Sequence, residues 1–86
     1  MSNKRKNIIH EGDALELLRR GYSLDARKFN FYQFRIRYAE SEDVYDWYHT
    51  TGTLVVTREG FPAKLAVITD PEDVAIFIKE DIYKHQ

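Results

Sequence analysis

Residues 28–57, KFNFYQFRIRYAESEDVYDWYHTTGTLVVT, hold most of the chain's aromatic side chains and decide its fold. From Phe31 to Tyr38 the period is two. Tyr32, Phe34, Ile36 and Tyr38 fall on one side, and Phe31, Gln33, Arg35 and Arg37 on the other. That alternation predicts a strand with one buried face. Ala39 to Asp43 is polar or small and predicts a turn, after which the aromatic-rich run Val44 to His49 predicts a second strand. His49-Thr50-Thr51-Gly52-Thr53 reads as a hairpin connection. With Gly52 in the left-handed position of a three-residue loop, His49 lies opposite Thr53, Tyr48 opposite Leu54 and Trp47 opposite Val55. One face then carries Val44, Asp46, Tyr48, Leu54 and Val56, and the other Tyr45, Trp47, His49, Thr53, Val55 and Thr57. A two-residue turn would shift the pairing by one residue.

Upstream, Ala14, Leu15, Leu18 and Tyr22 have helical spacing, with Leu17 widening the stripe. Asp13 suits the cap or first turn, Arg19 and Arg20 suit the negative end of the dipole, and Gly21 suits the left-handed residue that ends the helix. Ser23 to Asn30 reads either as an extended connection or as a short extra strand. Downstream, Glu59-Gly60-Phe61-Pro62 breaks the strand pattern, and Lys64 to Thr69 predicts a short fourth strand. Asp70 is then a cap, Pro71 the first helical residue, and Glu72 and Asp73 favour the positive end of the dipole. This helix is expected to reach about Tyr83, burying Val74, Phe77, Ile78 and Ile82, with Ile76 and Tyr83 at the margin.

These elements predict one α+β domain over residues 10–86, in the order α-β-β-β(-β)-α. Its sheet is an antiparallel meander with two helices packed on one face. Residues 1–9, with Lys4-Arg5-Lys6, are expected to be a flexible basic terminus. A chain of 86 residues supports one modest core. Its 43% hydrophobic content argues for folding, and its 31% charged content for solubility. No run approaches the roughly 18 apolar residues of a membrane helix. The start, MSNKRKNIIH, is not expected to act as a signal peptide. Without cysteine there is no disulfide framework and no thiolate chemistry, which suits the cytoplasm.

The net charge of -1 conceals an asymmetry. Up to Glu40 there are nine Lys/Arg against five Asp/Glu; from Ser41 onward there are four against nine. The first half can attract an anion that the second half repels.

Helix, meander, helix resembles the order of double-stranded-RNA-binding domains and of the toxin half of HicAB-type toxin–antitoxin pairs. The RNA-binding domains place a lysine-rich segment at the start of the last helix, where this chain has Asp70-Pro71-Glu72-Asp73. The toxins share a glycine followed by Ser and His at the entry to the first strand, where this chain has Phe29-Asn30-Phe31-Tyr32. The resemblance therefore implies architecture and neither activity. Gly21-Tyr22, Gln33-Phe34-Arg35-Ile36 and the aromatic segment at Asp46-Trp47-Tyr48 also resemble small phage-type proteins.

No enzyme is expected from the motifs of this chain. There is no glycine-rich phosphate loop, no Gly-x-Ser-x-Gly and no histidine pair at metal-ligand spacing, and His10, His49 and His85 lie far apart. The expectation is no catalytic residue, no metal and no small-molecule cofactor. What remains is a sheet face left uncovered if Tyr32, Phe34, Ile36, Tyr48, Leu54 and Val56 meet the helices. It would present Phe31, Gln33, Arg35, Arg37, Tyr45, Trp47, His49 and Val55. Tyr, Trp and Arg are the residues enriched at interface hot spots, so the expected partner is a protein or a second copy of the chain, and no membrane. Single-stranded or structured RNA or DNA is the alternative, because arginines can hold phosphate while bases stack on rings. If Ser23 to Lys28 or Glu59 to Ala66 fold over this face, it becomes core instead.

Overall fold

The computed structural model describes residues 10–85; segment 1–9, expected to be a flexible basic terminus, lies outside the described residues. Helix α1 (Glu11–Glu16) runs into a π-helical turn (Leu17–Gly21). Strands β1 (Asp25–Asn30), β2 (Gln33–Arg37), β3 (Val44–Tyr48), β4 (Thr53–Arg58) and β5 (Phe61–Val67) follow, and then helix α2 (Pro71–Lys84). The five strands form one antiparallel meander in sequence order. Ser23 to Asn30 contains strand β1, and the short strand expected over Lys64 to Thr69 is found as β5 over Phe61–Val67, so the α+β order expected from the sequence is realised with five strands.

Helix α1 starts after His10, which makes no side-chain cap, and Asp13 lies in its first turn. The residue that leaves the helix with positive φ is Ser23, at 58°, rather than Gly21. Its amide bonds Arg19 O at 3.1 Å with ordinary α-helical spacing, and the Leu24 amide reaches back six residues to Leu18 O at 3.0 Å, so the last of the late carbonyls is satisfied through a wider turn than a regular α-helix uses. That turn hands Leu24 and Ala26 to the core while Asp25 and Arg27 face out, which is the alternation that makes β1 a strand. At the other end, Asp70 accepts from the Glu72 amide at 2.9 Å, and Pro71 occupies the first turn. Glu59 and Gly60 both have positive φ, 56° and 84°, forming the two-residue turn that suits a tight hairpin. Phe61 and Pro62, expected to break the pattern, therefore open β5. Pro62 is tolerated because β5 is an edge strand.

The register of the β3–β4 hairpin differs from the expected one. Tyr48 pairs with Thr53 and Trp47 with Leu54, leaving a four-residue loop, His49 to Gly52. Tyr48 O closes it by accepting from Thr51 N at 3.1 Å and Gly52 N at 2.7 Å. One residue of slip exchanges faces along a whole strand. Tyr45 and Trp47, expected on the open face, are fully buried, whereas Tyr48 moves to the far side beside Thr53. Both aromatics satisfy their polar atoms inside: Trp47 Nε1 donates to Ile68 O at 2.8 Å, and the Tyr45 hydroxyl donates to Asp81 at 2.6 Å. Tyr32, expected to face the core, lies in the β1–β2 turn and is 50% exposed.

One cluster forms the core. Ala14 and Leu18 from the first helical segment and Val74, Ala75, Ile78 and Ile82 from α2 join Ala26, Phe34, Ile36, Tyr45, Trp47, Leu54 and Val56 from the strands. Directly paired residues share a face, so these strand residues all lie on one side of the sheet. Phe77, expected in the buried stripe of α2, is only partly buried, and Ala75 takes its place. Among the described residues no helix is long and apolar enough to cross a membrane.

Candidate binding face

The opposite side of the sheet is assembled from the alternate residues of each strand. Asp25 pairs with Arg37, Arg27 with Arg35, Arg35 with Asp46, and Asp46 with Val55, which pairs in turn with Lys64. Arg27, Arg37 and Lys64 are exposed, and Arg35 and Val55 half-buried. Arg35 is held on both sides: its Nε donates to Asp46 Oδ1 at 2.9 Å, and its guanidinium carbon lies 4.0 Å from the centre of the Phe29 ring. Asp46 is only 7% exposed, so this pair is the anchor of the face. Arg27 Nε donates to Asp25 Oδ1 at 3.0 Å. Arg37 makes no ion pair among the described residues. A cleft of about 390 Å³ opens here, lined by Asp25, Arg27, Lys28, Phe29, Arg35 and Arg37.

The eight residues expected to form a binding face are thus divided. Gln33, Arg35, Arg37 and Val55 lie on this side, although Gln33 is 5% exposed and accepts from Asn30 Nδ2 at 3.0 Å. Phe31 is 83% exposed but sits in the β1–β2 turn, under the Lys28 ammonium at 5.4 Å. Tyr45, Trp47 and His49 are buried on the helix side, so they present no surface to a ligand. Missing from the expectation are Arg27, Phe29, Asp46 and Tyr48. The first two were hidden by the ambiguity of Ser23 to Asn30; the period-two placement of Asp25, Arg27 and Phe29 against Leu24 and Ala26 is the signal that finds them.

His49 lies at the turn end of β3, 5% exposed, with its ring centre 4.6 Å from that of Phe34 and 6.0 Å from that of Trp47. Its Nε2 is 3.5 Å from Glu11 Oε2, beyond a good hydrogen bond, and neither ring nitrogen has a hydrogen-bond partner among the described residues. Burial pulls its pKa below the ordinary value; Glu11 opposes that shift, and Lys28 adds to it. Glu11 itself pairs with Lys28 Nζ at 3.0 Å, which ties the start of α1 to β1.

A second polar group closes the opposite end of the sheet. Arg58 donates through Nε to Asp43 at 2.8 Å and through Nη2 to Asp81 at 2.6 Å, which also accepts from Tyr45. Burial pushes the Tyr45 phenol up, and the Asp81 hydrogen bond adds to it. Burial alone would raise Asp81, but the hydrogen bonds from Tyr45 and Arg58 outweigh it and leave the carboxyl below its ordinary value. The cleft beside this network, about 580 Å³, is lined by Glu40, Glu42, Asp43 and Glu59 as well as Arg58 and His85. The molecule thus carries arginines on the β1–β2 face and carboxylates around the β2–β3 and β4–β5 connections. Among the described residues no three His, Asp or Glu side chains converge as metal ligands. No protein-family model, curated protein or solved structure matches this chain.

Proposed function

We propose that this chain is a small non-enzymatic binding or regulatory domain that engages a protein partner through the open face of its sheet. The observation that carries it is the composition of that face: Arg27, Arg35 and Arg37 stand beside Phe29, Tyr48 and Val55, while the buried residues of both helices gather with the other side. Arginine and aromatic side chains with a half-buried aliphatic centre are what interface cores favour. Cations outnumber acids here, so the complementary partner surface is acidic. A second copy is a poorer complement, because a two-fold axis would set this cationic face against itself. With Tyr45 and Trp47 in the core, the face keeps Phe29 and Tyr48 but lacks two of the rings expected to stack bases, which weighs against nucleic acid. A cysteine-free chain suits a cytoplasmic setting.

The test uses the full chain as bait in a cross-linking capture from cell extract, with Arg27→Glu/Arg37→Glu and Ile76→Glu compared with wild type. Loss of the captured protein in the arginine variant alone is the expected result. Loss in the Ile76→Glu variant alone would move the interface to the outer side of α2, where Ile76 is 41% exposed. Saturable binding of an oligonucleotide that weakens steeply with salt would favour the nucleic-acid alternative, and a mass that doubles with concentration would favour self-association.

A further inference from the structure

The cross-strand pairing of Arg27 with Arg35 is unfavourable by itself, because like charges directly opposite on one sheet face repel. The neighbouring acids relieve it only in part. Arg27 and Arg35 each commit Nε to a carboxylate, to Asp25 and Asp46, and their terminal amino groups make no hydrogen bond among the described residues. Arg37 pairs in register with Asp25, yet the Asp25 carboxylate is turned to Arg27, so the whole Arg37 fork is uncommitted. Three guanidinium forks therefore converge on a single cleft of about 390 Å³, walled on one side by the Phe29 ring. Arginine forks match the oxygens of phosphate and carboxylate, and a group with three acceptor oxygens and two charges can engage the free amino groups of all three arginines together, with enough charge to offset the Asp25 carboxylate that also lines the cleft.

From this we infer that the β1–β2 cleft is an oxyanion site for a phosphomonoester, supplied by a phosphorylated side chain of the partner protein. The inference rests on the open face being the binding face. Its confinement favours a monoester over a nucleic-acid backbone. A polyanion needs cations repeated along its path, whereas from Ser41 onward this chain has nine Asp/Glu against four Lys/Arg. Phe29 beside the cleft gives an aromatic or aliphatic stem a surface to lie on, while the dianion sits among the forks.

Phenyl phosphate, dimethyl phosphate and acetate, each at matched ionic strength, are titrated into the full chain while the arginine Nε–H signals are followed by NMR. Phenyl phosphate is expected to shift the Arg27, Arg35 and Arg37 signals along a saturating curve, and to bind roughly tenfold tighter than either singly charged anion. Arg37→Gln, an exposed position whose loss leaves the Arg35–Asp46 pair intact, is expected to weaken phenyl phosphate about tenfold at an unchanged melting temperature. Equal affinity for dimethyl phosphate would overturn the monoester assignment in favour of a diester, and shifts that do not saturate, or that persist unchanged in Arg37→Gln, would overturn the site itself. A phosphorylated and an unphosphorylated copy of the captured protein then separate the two levels. If the titration fails while the unphosphorylated partner still needs Arg27 and Arg37, the open face stands and the phosphate site falls.

Discussion

His49 is the side chain whose surroundings fit it least. It is enclosed by Phe34 and Trp47, with Glu11 close and Lys28 behind Glu11, and burial keeps its pKa below the unfolded value of 6.5. A base with a lowered pKa binds its proton more readily in the unfolded chain. Its contribution to stability is therefore complete above about 6.5 and declines as the pH falls below it, until the folded protein protonates as well. Urea unfolding from about pH 7.5 to about pH 5.5 is expected to show a falling midpoint in wild type and a flatter profile in His49→Gln. Equal slopes would assign the pH dependence to other groups. Sequence could not place this residue. Val44 to Tyr48 is apolar or aromatic at most positions, so composition does not say which alternate set is buried; the single acid, Asp46, was the available clue, because its partner Arg35 faces outward. Trp47 shows the consequence: its truncation probes core packing, at roughly 3–5 kcal/mol, rather than binding.

The elements themselves were more legible than their register. Asp70-Pro71-Glu72-Asp73 marked the start of α2 because a cap, a first-turn proline and two acids act together. β2 was legible through its alternation, and Phe34, Ile36, Leu54 and Val56 are buried together, as in the arrangement that the sequence left conditional. Harder to see were β1, whose strand character depends on how the preceding helix ends, and the Glu59-Gly60 turn, where a glutamate takes a positive φ of 56° that its side chain does not advertise. The β3–β4 loop turned on one residue. Gly52 has a φ of 88°, and a Cβ there would lie 2.9 Å from Ile68 O, whose residue's amide bonds Gly52 O at 2.8 Å. Gly60, at a φ of 84°, has open space around it. Gly52→Ala is therefore expected to cost more than Gly60→Ala in thermal unfolding, with the backbone term alone about 1–3 kcal/mol and the clash added only at Gly52. Equal losses would show that the loop relaxes away from Ile68 without penalty.

At the scale of the whole molecule, both edges of the sheet are poorly suited to pairing with another strand. β1 carries a register shift between Lys28 and Asn30 and charges along its length; β5 carries Pro62, Lys64 and a neighbouring shift at Leu54/Val55. Association through strand addition is thereby discouraged, which accords with the proposal that a partner is met through the sheet face instead. Charge is separated along the same frame, with arginines over β1 and β2 and carboxylates around the β2–β3 and β4–β5 connections, a polarity that would orient the acidic partner proposed above as well as attract it. The overall α+β order was readable because it follows from periodicity, but the charge map was not, because it needs the strand order to bring Arg27 beside Arg35 and Asp43 beside Arg58. The chain has no cysteine, so single thiols report cleanly on which surfaces are free. The most direct measurement is the rate of thiol labelling of Val55→Cys and Thr57→Cys, set against Ile76→Cys, in the isolated protein and in the presence of the captured partner. Labelling at all three positions alone, slower at the half-buried 55 and 57 than at 76, with protection of 55 and 57 and not of 76 when the partner is added, is the predicted result. Complete resistance to labelling at 55 and 57 in the isolated protein, or protection confined to 76, would contradict an open sheet face as the binding surface.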